Sequence, residues 1–206
     1  MCIVTYFPTS EGFIFTSNRD EKLQRPTLEP AIYDHPTPLM YPKDLDHGGT
    51  WFAVDSKQKQ LFCLLNATGK QPNSAEKISR GQLPIKLLLG DATILSASNL
   101  IHIAPFQLIS VRFSEVVKLE HFHWDGDTLK RTLMNQMKPS QMVPLMILKR
   151  GSGLFRFCFL TFFSIVDNTS CQSSSNLSVK HLSIGFIFNN NSSPFIICTR
   201  FWMPCY

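Results

Sequence analysis

The chain has 206 residues, is 44% hydrophobic and carries a formal charge of +5. That length suits one domain with a sizeable core and is too short for two large ones. Its lysines and arginines form no run interleaved with aromatics, which argues against nucleic acid as a partner, and Asp167 is the only acidic residue after Asp127, so the basic balance belongs largely to the tail.

Ile3–Phe7 reads as a strand, residues 8–12 as its turn and Phe13–Thr16 as the returning strand, since β-branched and aromatic residues are bounded here by Pro8 and Gly12. The apolar run then breaks into Ser17-Asn18-Arg19-Asp20-Glu21. A hairpin brings this charged corner close to the amino terminus, where removal of Met1 would leave Cys2 with a free α-amine. The same residues also fit a helix start, with Asn18 as the cap and Glu21 reaching back to the cap amide. Prolines 26, 30, 36, 38 and 42 predict an irregular loop over residues 25–46, with a short extended piece at Ala31-Ile32-Tyr33.

Gly48-Gly49-Thr50-Trp51 leads into a second hairpin, Phe52–Val54 and Leu61–Leu65, whose return strand is apolar enough to be buried on both faces. Gly48 and Gly49 suit a positive φ or a close backbone approach, or simply a tight turn. Asn66 ends the strand, either as a turn former or as an amide facing a pocket. Ser79–Leu89 predicts a helix with Pro84 in its first turn, and Ala92–Leu100 a shorter one. Arg80 is by default a solvated arginine, and its alternative role is to bind an anionic substrate group. Phe106–Phe113, Val116–Trp124 and Thr128–Leu133 make a meander that turns at Asp125-Gly126. His121 and His123 share one strand face, but no third ligand accompanies them, so no metal site is predicted.

From Gln141 onwards the character changes. Phe155, Phe157, Phe159, Phe162 and Phe163 crowd together, and serine- and asparagine-rich segments follow. The Phe-rich run reads as a buried strand, or, with acids almost gone, as part of a tail translated from a shifted frame or a misjoined exon and packing poorly. The six cysteines lack the close spacing of zinc or redox motifs, which suits a reduced, cytoplasmic protein. Charges at Glu11 and Arg19 interrupt any signal-peptide core, and the run Leu154–Val166 contains Arg156 and is too short to span a bilayer. The sequons at Asn66, Asn168, Asn176 and Asn191 therefore carry little weight.

Met1-Cys2, Asn18-Arg19-Asp20-Glu21, Arg25-Pro26, Gly48-Gly49-Thr50-Trp51, Leu65-Asn66 and Ser79-Arg80-Gly81 occur in that order. This pattern resembles the NRDE family, the proteins similar to transport and Golgi organisation protein 2. The resemblance covers residues 1–141 and leaves 142–206 as an atypical tail, in which the family's later tryptophan- and serine-rich block is not recognisable. The family in turn is similar to the cysteine N-terminal nucleophile hydrolases, which implies an α+β fold, an αββα sandwich, left incomplete if the tail does not supply its strands.

The resemblance also implies cleavage of a non-peptide amide or acyl bond, with Cys2 as nucleophile, and with Arg19 and Asp20 beside it. A cysteine thiol and an α-amine titrate close enough together, at about 8.5 and about 8, for one residue to supply both nucleophile and base. Asp20 would hold the amine and Asn66 would donate to an oxyanion, while Asn18, Trp51 and Arg80 would bind substrate. The family's eukaryotic members suggest a second role, a non-catalytic carrier of a hydrophobic ligand such as haem or an acyl lipid. No resident cofactor is implied, and the expected partner is a small-molecule substrate or hydrophobic ligand.

Overall fold

The computed structural model describes residues 3–8, 12–22, 24–73, 76–137, 145–148, 179–189 and 195–201. Cys2 and the Phe-rich run at 154–166 lie outside them. The chain is α+β, with strands dominating.

The predicted amino-terminal hairpin is β1 (Ile3–Pro8) and β2 (Gly12–Lys22). β2 runs on through Asn18, Arg19, Asp20 and Glu21, so strand replaces the helix cap expected at Asn18. The reason is pairing on both edges. Ile3 sits opposite Asn18 on one side, and on the other the whole of β2 is matched by residues 179–189. Both ladders reach Asn18 and the β11 ladder continues through Arg19, Asp20 and Glu21, giving this polar segment strand pairing that its side chains alone would not specify.

Next come β3 (Thr27–Tyr33) and β4 (Leu39–Asp44), in a region read from its prolines as irregular loop. Pro30 and Pro42 both fall where the register of this pair shifts, between Leu28/Lys43 and Ala31/Tyr41. A residue without an N–H is tolerated at such a break. β5 (Phe52–Asp55) and β6 (Gln60–Asn66) form the predicted second hairpin. The predicted helix over 79–89 is a 3-10 turn at Arg80–Gln82 followed by α1 (Leu83–Leu88), and the shorter one is a 3-10 turn at Ala92–Leu95 followed by α2 (Ala97–Leu100). The meander β7 (Phe106–Phe113), β8 (Val117–Trp124) and β9 (Leu129–Met137) follows closely the expected bounds.

Three strands come from the tail: β10 (Leu145–Leu148), β11 (Val179–Asn189) and β12 (Phe195–Phe201). Its composition argued against such a contribution. Within β11, however, Leu182, Ile184, Phe186 and Phe188 recur at every second position, which is the period of a strand. The result is a five-stranded sheet in the order β10-β1-β2-β11-β12 and a seven-stranded sheet running β3 to β9 in sequence order.

The two sheets pack face to face. Phe15 meets Phe52 and Phe13 meets Phe113, each at 5.7 Å between ring centroids, and the buried Cys63 thiol lies 3.4 Å from the Ser17 hydroxyl. Burying these rings, at roughly 25 cal/mol per Å² of apolar surface, is the main force holding the layers together. On the far side of the seven-stranded sheet α1 packs on β5 and β6, and the Trp124 indole donates to the Ile103 carbonyl at 2.9 Å. Among the described residues the layers are therefore sheet, sheet, helix. The outer helical layer that an αββα sandwich would add on the five-stranded side is not among them.

Candidate functional site

At one end of the sheet interface a cavity of about 680 Å³ opens between β2, the loop after β4, the end of β6 and the segment leading into α1. Five of the residues singled out in the sequence line it: Asn18, Arg19, Trp51, Asn66 and Arg80. Asp20 lies on β2 opposite His181, its side chain outside the described set. Cys2 is also outside it, but the next residue, Ile3, pairs with Asn18 at the cavity rim.

Strand alternation explains the wall formed by β2. Phe13 and Phe15 face the seven-stranded sheet, so Ser17 and Arg19, at the same parity, face it too. Arg19 donates to Asp44 Oδ2 at 2.8 Å and stacks its guanidinium 4.5 Å from the Trp51 ring centre. Arg25 reaches the same Asp44 oxygen at 2.6 Å. The other carboxylate oxygen accepts the backbone N–H groups of Asp46 and His47. Asp44 is thus fully engaged, and Asp46 Oδ2 stands 4.0 Å from Arg25 Nε, so the two guanidiniums face two carboxylates.

The chain segment that carries Trp51 is pinned on both sides. Gly48 turns at φ +66°, its N–H on the Asp44 carbonyl, and Thr50 donates its N–H to the Gly81 carbonyl at 2.9 Å. Gly49 and Gly81 approach so closely that a Cβ on Gly49 would lie 2.7 Å from the Gly81 carbonyl carbon. The glycine pair therefore serves both of the purposes its sequence allowed, a turn and a close approach. This contact also fixes where Arg80 enters the cavity.

Arg80 is half-buried rather than solvated. It donates to the Pro105 carbonyl at 2.8 Å. Burial first, and the charge of Arg25 second, pull its pKa below the ordinary arginine value. The Trp51 indole N–H and the Asn18 side-chain oxygen are buried with no hydrogen-bond partner among the described residues. Such groups are uncommon in a folded interior and mark places where a ligand or water completes the bonding.

This geometry fits the sequence profile of the Transport and Golgi organisation 2 family, which matches residues 1–145. The chain belongs to that family. No curated protein matches the chain. The Transport and Golgi organisation 2 match ends at the start of β10, so β11 and β12 lie beyond it.

Asp44 and Arg25 were not selected as site residues from the sequence. Arg25-Pro26 appeared only as a family motif, and Asp44 sat in the stretch read as loop. The available signal was Asp44-Leu45-Asp46-His47-Gly48, in which an aspartate opening a glycine-ended turn often accepts the amides two and three residues on, here those of Asp46 and His47. His121 and His123, on β8, stand apart from the cavity lining. Their rings are nearly parallel at 6.3 Å, and His121 pairs with Gln107 at 3.1 Å. Among the described residues no three metal-ligating side chains cluster, and no helix is long and apolar enough to cross a membrane.

Proposed function

We propose that the chain is an acyl-amide hydrolase of the N-terminal nucleophile type, with Cys2 as nucleophile. The observation that carries this reading is the register of the first hairpin, which starts β1 opposite Asn18, beside Arg19, at the rim of a cavity lined by the family's motif residues. Once Met1 is removed, the α-amine of Cys2 takes the thiol proton and the thiolate attacks the acyl carbon. The C–N bond breaks, the amine leaves with that proton, and water hydrolyses the thioester.

The Arg19 guanidinium on the cavity wall would favour the thiolate. Asn66, at the end of β6, would donate to the oxyanion, and Asp20 would hold the α-amine. The volume suits a small molecule, since pockets of about 300–1,000 Å³ take ligands of that size.

Peptide-mapped mass spectrometry after a brief pulse of a mild thiol electrophile tests the proposal. The expected result is that Met1 is absent and Cys2 is labelled ahead of the other cysteines, with Cys2→Ala abolishing turnover of N-acyl amides. Retention of Met1 would overturn it, since the blocked amine has no base function. The alternative, a non-catalytic carrier of a hydrophobic ligand such as haem or an acyl lipid, predicts ligand retention unaffected by Cys2→Ala and no turnover in either form.

A further inference from the structure

The cavity's positive groups are matched unequally. Asp44 lies between Arg19 and Arg25, whereas Arg80 has a single acceptor, the Pro105 carbonyl, and no carboxylate among the described residues. A guanidinium carries several N–H donors, so most of those on Arg80 find no partner among the described residues. It is nonetheless half-buried, and held there by the backbone contact of Gly81 with Gly49. Arg25 lines the same cavity but already faces Asp44 at 2.6 Å and Asp46 at 4.0 Å, so the guanidinium without a matching carboxylate among the described residues is that of Arg80. Trp51, 7% exposed, lines the same cavity, its N–H without an acceptor among the described residues. Leu64, Leu65 and Ile78 supply apolar surface beside these groups.

We propose that Arg80 and Arg25 form a subsite for an anionic group, a carboxylate or a phosphate, on a small-molecule ligand whose apolar part lies against Leu64, Leu65 and Ile78. This rests on the hydrolase reading for its substrate class, an acyl amide bearing an anionic group, but binding needs no turnover. Arg80 supplies a planar pair of donors suited to a carboxylate or phosphate edge. Trp51 packs beside the bound group and offers its N–H as a further donor.

The test titrates the full-length Cys2→Ala chain with octanoate, octyl phosphate and neutral octanamide. Binding is followed by the Trp51 indole N–H resonance, assigned by its loss in Trp51→Phe. At least one anion should give a saturable shift, with octanamide about tenfold weaker or more, as expected for loss of a charge-assisted hydrogen bond. The tighter of the two anions identifies the head group. Arg80→Gln should abolish the preference for the anion, and Arg80→Lys should restore part of it, with unfolding midpoints confirming that both variants fold. Equal binding of all three probes, absence of any saturable shift, or an unchanged preference in a folded Arg80→Gln variant would overturn the subsite. Anion binding without amide turnover in the wild-type chain would retain the subsite and remove only the hydrolase reading.

Discussion

The two sheets are built by different rules. In the seven-stranded sheet every strand pairs with its neighbour in sequence, whereas in the five-stranded sheet β2 takes one partner from β1 and the other from β11, near the far end of the chain. Apart from β6 and β7, which pair across residues 67–105, the first needs only short-range closure, and its strands are visible in the local sequence. The second waits on a contact of long sequence separation, which is slow to form and invisible to local pattern. Yet the second carries Arg19, so the cavity depends on the sheet that is harder to assemble.

Removal of the distant strands breaks this comparison most directly. A chain ending at Leu148 loses β11 and β12 and leaves one edge of the eleven-residue β2 unpaired. It should aggregate or lose its cooperative unfolding transition. An unchanged urea midpoint would show instead that the amino-terminal hairpin holds against the seven-stranded sheet without the tail.

The joint between the sheets is the next target. Asp44→Asn keeps the shape but removes a carboxylate bonded to both Arg19 and Arg25. Breaking a pair this buried should cost about 3 kcal/mol in chemical denaturation. A loss below about 1 kcal/mol would place the pair among exposed ones, with little role in docking the sheets.

Acid sensitivity should come from the seven-stranded sheet. Burial first, and the neighbouring His123 second, hold the His121 pKa below its ordinary value of 6.5. Below about pH 6.5 the unfolded chain takes up a proton there that the folded chain still refuses. Stability should therefore fall as pH drops from about 6.5 towards the folded pKa, and be unaffected above that window. His121→Gln should flatten the slope of the urea midpoint between about pH 7 and about pH 5. A slope identical to wild type would assign the acid sensitivity to other groups.

The smallest effect is expected at the far edge of the same sheet. Arg131 is 59% exposed and pairs with Glu120 at 2.6 Å. Arg131→Ala should cost about 0.5 kcal/mol or less and fade in high salt. A larger, salt-independent loss would point to its stacking over Phe122 instead.

Alternation of apolar and polar residues made β7 and β8 legible before any coordinates, while β1, β5 and β6 showed as short apolar runs bounded by turn residues, β6 being apolar enough for burial on both faces. The motif order likewise pointed to Asn18, Arg19, Trp51, Asn66 and Arg80, which the fold gathers around one cavity. Two errors share one cause. Asn18–Glu21 could cap a helix or extend a strand, and β4 carries Pro42, so in both places the local signal was neutral or misleading. Pairing with β11 settled the first, and a register break that accommodates the prolines settled the second.

The sequence by itself determined the strand-rich α+β character, the glycine turn before Trp51 and the family, because each rests on residues close together in the chain. Only the tertiary structure decided that Asp44 lies between two arginines, that Gly49 meets Gly81 and that Arg80 stands without a carboxylate among the described residues. These are relations between segments far apart in sequence, and no local preference encodes which charges a folded surface will bring together or leave unmatched.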